Sequence, residues 1–157
     1  MKNVFISCTF TKHHPHEERP CEYIYSKSVL FRYSLAYARM LTDDSHIYIL
    51  SAKHHVLRLK DKIRPYQVTL NNMSEDERKE WAEKVLQKMR KMKISFENET
   101  IFLTGENYQK YLIDKFANAS NPLEGKGIGE TESFLKSKTG KITESISLCD
   151  FLQLQLI

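Results

Sequence analysis

The segment with the clearest potential for chemistry is His46–Leu57, where an apolar run changes abruptly into a basic one. Ile47–Leu50 is short and rich in β-branched and aromatic residues, which predicts a buried strand. Its end is followed by polar and basic residues, namely Ser51, Lys53, His54 and His55. Ligands of open α/β sheets bind beyond the carboxyl ends of the strands, so this position favours catalysis or anion binding. The alternative is an ordinary solvated loop.

Two further predicted strands also end in polar residues. Val4–Cys8 leads to Thr11 and Lys12, and such a loop can offer N–H groups, hydroxyls and an ammonium to an anion. Thr100–Thr104 leads to Glu106 at the start of a predicted helix, which makes Glu106 the most site-like carboxylate of the chain. The alternatives are a plain strand exit and a carboxylate that favours the helix dipole.

A predicted helix over Tyr23–Leu41 carries a second group of candidates. Its core-facing stripe is predicted to comprise Val29, Leu30, Tyr33, Ala36, Tyr37, Met40 and Leu41. Ser26 or Ser28 could cap its start. Phe31 and Arg32 fall outside the stripe, so they could stack on a base and hold a phosphate. Alternatively, Phe31 packs under a neighbouring loop.

Two loops could complete a ligand site. Pro65 and Tyr66 suit a rigid wall for a flat ligand, although spacing alone favours a plain loop. Gly125, Gly127 and Gly129 would allow the backbone to approach a ligand or another loop. They are weak support for a dinucleotide site, because no acidic residue follows on a second strand at the expected separation.

The order of the predicted elements defines the fold class. Strands and helices alternate, with a weak strand in Ala117–Pro122 and a helix at Glu130–Lys136. This predicts one domain over residues 1–157, a three-layer α/β/α sandwich around a mainly parallel four-stranded sheet. Ser74–Met92 is predicted to be a scaffold helix with a solvated charged face. Cys149–Ile157 is apolar enough to dock on the core.

Composition narrows the class of protein. No apolar run reaches the roughly 18 residues of a membrane helix, and the N-terminus lacks the apolar region of a secretory signal. The three cysteines have irregular spacing and favour a reducing cytoplasm over a disulfide framework. Residues 1–64 hold 11 Lys and Arg against 6 Asp and Glu, so this half is the better candidate for binding an anion. The Cys and His residues of positions 8–21 match no standard zinc spacing, so no metal is expected.

Several motifs, taken in order, resemble a family of small bacterial and phage domains. They are CTFTK (8–12), YSKSVLFRYSLAYA (25–38), YILSAKHHVL (48–57), PYQVTLNNMS (65–74), LTGENY (103–108) and PLEGKGIG (122–129). Two positions depart from the family pattern, because Lys27 and His55 stand where glycines are usual. The family is similar to YaaA-like proteins, to a domain of archaeosine synthase and to the uracil-DNA glycosylase fold.

The resemblance implies a protein that handles bases in nucleic acid, and one lineage acts against phages by excising modified bases from DNA. We therefore expect a cytoplasmic DNA glycosylase that acts on a flipped nucleotide without a cofactor. The expected catalytic residues are Lys53, His54 and Glu106. The expected substrate-binding residues are Cys8, Thr11, Lys12, Tyr25, Ser26, Ser28, Phe31, Arg32, Ser51, His55, Tyr66, Gly125, Gly127 and Gly129.

Each group has an expected role. Lys53 and His54 would donate to the departing base or hold the adjacent phosphate, and Glu106 would orient water or offset positive charge on the sugar. Stacking is expected from Tyr25, Phe31 and Tyr66, and phosphate contacts from Lys12, Ser26, Ser28 and Arg32. The alternatives are a non-catalytic DNA-binding or stress protein and an enzyme that modifies bases of tRNA or free nucleotides.

Overall fold

The computed structural model describes residues 1–145, and for residues 141–145 the backbone alone. The strands are β1 Asn3–Ser7, β2 Arg19–Pro20, β3 Ile47–Ser51, β4 His55–Arg58, β5 Lys62–Ile63, β6 Thr100–Leu103 and β7 Ala119–Ser120. The helices are α1 Cys21–Tyr25, α2 Val29–Leu41, α3 Glu75–Lys91, α4 Glu106–Gln109 and α5 Ile128–Ser145. Cys149–Ile157, predicted to dock on the core, lies outside the described residues.

A mostly parallel sheet forms the centre of the α/β fold. Over residues 1–145 it has five strands in the order β4-β3-β1-β6-β7, in which only β4 is antiparallel to its neighbour. The sequence predicted four strands, because the basic segment after β3 was interpreted as a loop. Instead the chain reverses in a tight hairpin, and Val56 and Leu57 of β4 become buried.

The core lies on both faces of the central strands. Val4, Phe5 and Ile6 of β1 are almost fully buried, which explains why this strand is a continuous apolar run rather than an alternating one. The Phe5 ring lies 5.2 Å from the Phe102 ring and 5.5 Å from the Tyr48 ring, centroid to centroid. These aromatic contacts join the three central strands.

The long helices pack against the sheet and each other. α2 contacts β1 and α5, whereas α3 contacts β4, and this arrangement is compatible with a three-layer sandwich. The predicted capping box of α3 is confirmed, since Ser74 Oγ accepts from Glu77 N and Glu77 Oε1 accepts from Ser74 N. This reciprocal pair fixes the start of the helix.

The core face predicted for α2 is correct for Ala36, which is buried, and for four residues packed against the core, but wrong at its two ends; the four are Leu30, Tyr33, Tyr37 and Leu41. Val29 and Met40 are each 45% exposed, whereas Phe31, Leu35 and Ala38 are buried. The sequence carries two overlapping apolar stripes, and contact with both β1 and α5 selects between them. The helix also starts later than predicted, because residues 26–28 separate α1 from α2.

Three other boundaries differ from prediction. α4 ends at Gln109 and is followed by a 3₁₀ turn at Ile113–Lys115 rather than continuing as a helix. α5 is longer than the predicted Glu130–Lys136. β2 and β5 pair in a small antiparallel sheet within segments that were interpreted as loops. None of these differences changes the strand ends at which the candidate residues lie.

Candidate functional site

The carboxyl ends of the parallel strands bring three distant segments to one edge of the sheet. β1 pairs with β3 on one side and with β6 on the other. Cys8 N donates to Leu50 O at 2.9 Å, so the ends of β1 and β3 are directly joined. Neighbouring strands are about 4.8 Å apart, which places the exits of β3 and β6 roughly 10 Å from each other.

A cleft of about 620 Å³ opens at this edge, between the ends of β1, β6 and β7 and the start of α5. Its volume suits a small planar ligand. Leu30, Phe31, Leu103 and Leu123 give it apolar walls. Of the residues predicted from sequence, four line the cleft, namely Cys8, Phe31, Glu106 and Gly125.

Phe31 is in contact with both the cleft and the core. It is 1% exposed, and its ring lies 5.5 Å from the Tyr25 ring. The alternative prediction, that Phe31 packs beneath a loop, therefore describes most of its surface. Phe31 also contributes to the lining of the cleft, but with 1% of its surface exposed it acts as part of an apolar wall.

Glu106 stands at the rim of the cleft as the first residue of α4, after Gly105 as N-cap. The Glu106 side chain is exposed. Lys110 lies one turn further along and also lines the cleft, and its ammonium is 3.2 Å from a Glu75 carboxylate oxygen. The hydrogen bond to Glu75 raises the pKa of Lys110, which therefore stays charged. A carboxylate and a cation thus flank the entrance.

The inner wall of the cleft is polar, and the sequence analysis did not identify it. Thr104, Gln109 and Asn121 line the cleft at the ends of β6, α4 and β7. Asn121 Nδ2 donates to Thr104 O at 3.0 Å and to Gln109 Oε1 at 2.5 Å. The sequence signal was weak, because single Thr, Gln and Asn residues after short strands are common in loops.

A buried cluster of hydroxyl groups lies beside the cleft. Tyr66 OH is 2.5 Å from Tyr25 OH and 2.7 Å from Ser51 Oγ, and Ser51 Oγ accepts from His54 N at 2.9 Å. Burial raises the pKa of both tyrosines, so they remain protonated. The predicted stacking role of Tyr25 and Tyr66 needs correction, because both rings are buried in the core. Both instead fix the end of β3.

Lys12 is a buried cation rather than a surface phosphate contact. It is 2% exposed, and its ammonium donates to Phe10 O at 3.2 Å and lies 4.5 Å from the centroid of the Tyr66 ring. Burial lowers the pKa of Lys12, and the nearby Cys8 thiol opposes this shift. The predicted phosphate contact of Lys12 is corrected, because its ammonium is buried and stabilises the loop that follows β1. The Phe10 side chain is presented to solvent instead, 63% exposed.

Lys53, His54 and His55 lie at the β3–β4 hairpin, next to Tyr66 and outside the cleft lining. The Lys53 side chain is exposed, and its ammonium is 6.0 Å from the centroid of the Tyr66 ring. The His54 ring meets the Tyr66 ring edge to face at 5.4 Å. Burial, followed by the charges of Lys53 and Lys88, lowers the pKa of His54, so its imidazole is neutral at pH 7.

Helix α3 packs against this hairpin and donates two hydrogen bonds to its backbone. Trp81 Nε1 donates to Ser51 O at 2.9 Å, and Lys88 Nζ donates to His54 O at 3.0 Å. The prediction of α3 as scaffold is consistent with these contacts. The prediction that its charges form a solvated face is wrong for Lys88, which is half-buried against the turn.

The other predicted residues lie apart from the cleft. Ser26 Oγ donates to Tyr23 O at 2.6 Å, and Ser28 Oγ accepts from Phe31 N at 3.2 Å. Both hydroxyls therefore serve local structure, and the predicted Ser28 cap is confirmed. Four further predicted residues are absent from the cleft lining, namely Thr11, Arg32, Gly127 and Gly129.

Two negative findings concern metal ligands and membrane-spanning helices. Among the side chains of residues 1–140, no three His, Cys, Asp or Glu groups lie closely enough together to hold a metal ion. Cys21 Sγ donates to Arg58 O at 2.9 Å instead. No helix in the described part of the chain is long and apolar enough to span a membrane.

Comparison with known proteins places the chain in one family. A family model described as a family of unknown function (DUF6884) matches residues 4–137, which include every residue that lines the cleft. The chain belongs to this family. No curated protein matches the chain significantly.

Proposed function

We propose that this DUF6884 member is a DNA glycosylase that excises a modified base from DNA, with phage genomes as the substrate in antiviral defence. The observation that carries the proposal is the cleft itself. At one edge of the sheet it combines apolar walls that include Phe31, a carboxylate from Glu106 and a polar inner wall. A flipped nucleotide requires these three elements in one enclosed space.

Hydrolysis of the glycosidic bond passes through a sugar with cationic character. The bond between C1′ and the base nitrogen breaks, and the base leaves with the electron pair and is protonated. The oxygen of a water molecule then forms a bond to C1′ and gives up a proton. In this proposal Glu106, at the rim, orients that water and offsets the positive sugar, while the apolar walls of the cleft pack against the base.

The hairpin has a separate role, because Lys53 and His54 lie outside the cleft lining. The exposed ammonium of Lys53 would bind a phosphate next to the flipped nucleotide. The neutral imidazole of His54 fits a hydrogen-bonding contact better than a charged one. The hydroxyl cluster and α3 would hold this hairpin at a fixed distance from Glu106.

We propose further that the fold is a three-layer sandwich of the uracil-DNA glycosylase type. This is supported by the parallel strand order β3-β1-β6-β7 and by the cleft at the carboxyl ends of the strands. The excess of Lys and Arg within residues 1–64 supports an anionic partner such as DNA.

The test is release of free bases from DNA. Purified protein is incubated with phage genomes that carry different natural base modifications and with an unmodified genome, and released bases are identified by mass spectrometry. At least one modified genome should release its base, and the abasic sites should break in alkali. Glu106→Gln should lower the rate about 100-fold, the size of a typical acid–base contribution.

Glu130→Gln is the matched control, because Glu130 is an exposed carboxylate outside the cleft lining. Its rate should equal that of the unmodified protein. If no genome loses a base although the protein binds DNA, the non-catalytic alternative replaces this proposal. Turnover of tRNA or free nucleotides with duplex DNA untouched would favour the third function.

A further inference from the structure

The inner wall of the cleft contains a polar group that the fold leaves without a partner. Thr104 is 4% exposed, and its Oγ1 finds no hydrogen-bond partner among the residues that the structure describes. A buried hydroxyl without a partner destabilises the fold, because its hydrogen bonds to water are lost and not replaced. The fold alone gives no reason for this cost, since valine has the same shape and no hydroxyl.

Two amide side chains, those of Gln109 and Asn121, line the same inner wall of the cleft as Thr104. Asn121 is fixed on three sides, because its Nδ2 donates to Thr104 O and Gln109 Oε1 while its Oδ1 accepts from Leu123 N at 2.7 Å. Gln109 is buried, and the contact with Asn121 uses its carbonyl oxygen. The N–H groups of Gln109 therefore remain as donors in the same cleft lining that contains Thr104.

We propose that Thr104 and Gln109 recognise the hydrogen-bonding edge of a planar nitrogen heterocycle of the nucleobase class, with Asn121 as a positioning residue. The hydroxyl can donate or accept, and the amide N–H groups donate. Together they match an edge on which a carbonyl oxygen lies beside a ring nitrogen. The apolar walls and the Phe31 ring would enclose the flat faces of such a ligand.

This inference rests on the proposed function for its biological setting, but it concerns recognition of the base rather than cleavage. Discrimination is expected to be strong, because a ligand that lacks the edge leaves the buried groups unpaired. Thr104 and Gln109 would then decide which base is accepted.

Binding is tested without DNA or catalysis. Ligand-observed NMR measures the affinity of cytosine, 5-hydroxymethylcytosine, thymine, uracil, adenine and guanine for the cleft. At least one base should bind. Thr104→Val should weaken that binding about tenfold, and Thr104→Ser should retain it. Thr104→Val should also leave Tm unchanged or raise it, because an unpaired buried hydroxyl is removed.

Thr100→Val is the matched control at the opposite end of β6. The Thr100 hydroxyl is buried but satisfied, since it donates to Asn98 O at 2.9 Å and accepts from Asn3 Nδ2 at 3.3 Å. This variant should lower Tm and leave base binding unchanged. The two variants are expected to differ in opposite ways, because Thr104→Val weakens base binding without lowering Tm and Thr100→Val lowers Tm without weakening base binding. This difference separates recognition of the base from a general effect of replacing threonine.

Two results would overturn the inference. One is that no base binds, and the other is that Thr104→Val binds as tightly as the unmodified protein. Failure of the glycosylase proposal would give another result. Free bases would bind and Thr104→Val would weaken that binding, but no base would be released from DNA. Release of bases from DNA at an equal rate by Thr104→Val would leave the glycosylase proposal standing and reject this one.

Discussion

At the scale of single residues, His55 has a backbone conformation that favours glycine. Its φ is 69°, in the left-handed region, and only Lys93 shares a positive φ among the described non-glycine residues. A residue with a side chain costs about 1–2 kcal/mol there, which is a physical reason for the glycine that the motif resemblance leads us to expect at this position. Lys27, the other position at which that resemblance leads us to expect glycine, has no positive φ, so glycine is not needed there for backbone conformation.

The strain at His55 yields a stability prediction. His55→Gly should be about 1 kcal/mol more stable than His55→Ala, because both remove the imidazole and only glycine relieves the left-handed conformation. His55→Val should be the least stable of the three, since a β-branched residue fits that region worst. Urea unfolding measures all three free energies. A glycine variant less stable than the alanine variant would contradict the assigned conformation.

The central hydroxyl of the buried cluster gives a second prediction at this scale. Tyr66→Phe removes the group between Tyr25 OH and Ser51 Oγ, which leaves both without that partner inside the core. The free energy of unfolding should fall by about 1–3 kcal/mol. Tyr23→Phe, with a partly buried ring outside this cluster, is the control and should stay within about 0.5 kcal/mol. Equal losses in both variants would argue against the network.

At the scale of elements, helix α3 determines where the β3–β4 hairpin lies. The indole of Trp81 and the ammonium of Lys88 donate to two carbonyls of the hairpin, those of Ser51 and His54. A helix interpreted from sequence as scaffold thereby positions the exposed Lys53. The contact depends on two side chains four or more residues apart on one helical face.

Lys88→Met tests this contact, because methionine keeps the apolar stem and removes the donor. Unfolding free energy should fall by about 1 kcal/mol, and the amides of the hairpin should exchange hydrogen faster. Lys84→Met is the matched control, an exposed lysine one turn earlier on the same helix. Hydrogen exchange at the hairpin should be unchanged in Lys84→Met. Equal exchange in both variants would show that Lys88 does not hold the turn.

At the scale of the whole molecule, three partly buried histidines of the N-terminal half make the free energy of unfolding depend on pH. Burial is the main cause that lowers the pKa of His13, His54 and His55 below 6.5, and neighbouring cations or imidazoles add to it. The unfolded chain therefore binds protons more readily than the folded chain as pH falls toward and below 6.5. Stability contributed by these groups is present above pH 6.5 and is lost on acidification.

We expect Tm to be nearly constant above pH 7 and to fall between pH 6.5 and pH 5. The double variant His54→Gln with His55→Gln should flatten this fall, whereas His16→Gln, at an exposed position, should retain it. Differential scanning calorimetry at several pH values measures the effect. A Tm that rises on acidification through this window would reverse the sign worked out here. Carboxylates such as Glu75, whose pKa is lowered to about 2 by hydrogen bonds to Tyr111, Arg78 and Lys110, affect a separate and more acidic range.

Elements with a local pattern could be predicted from the order of residues alone. The apolar runs of β1, β3 and β6 and the capping box of α3 depend on neighbouring residues, and the structure confirms them. The sequence also indicated that residues after three strand ends would matter, because parallel strands share one carboxyl edge. Cys8, Phe31 and Glu106 do line one cleft.

Which side chains line the cleft and which are buried in the core depends on the tertiary structure. Tyr25, Tyr66 and Lys12 look like surface ligands in sequence, yet they are buried because the hairpin and the β1 loop close over them. No local pattern identifies Thr104, Gln109 and Asn121. Their shared position in the cleft is created by contacts between segments that lie far apart in the chain. Residue type determines which groups a side chain can bind. The packing of distant segments determines whether that side chain contacts a ligand or is buried in the core.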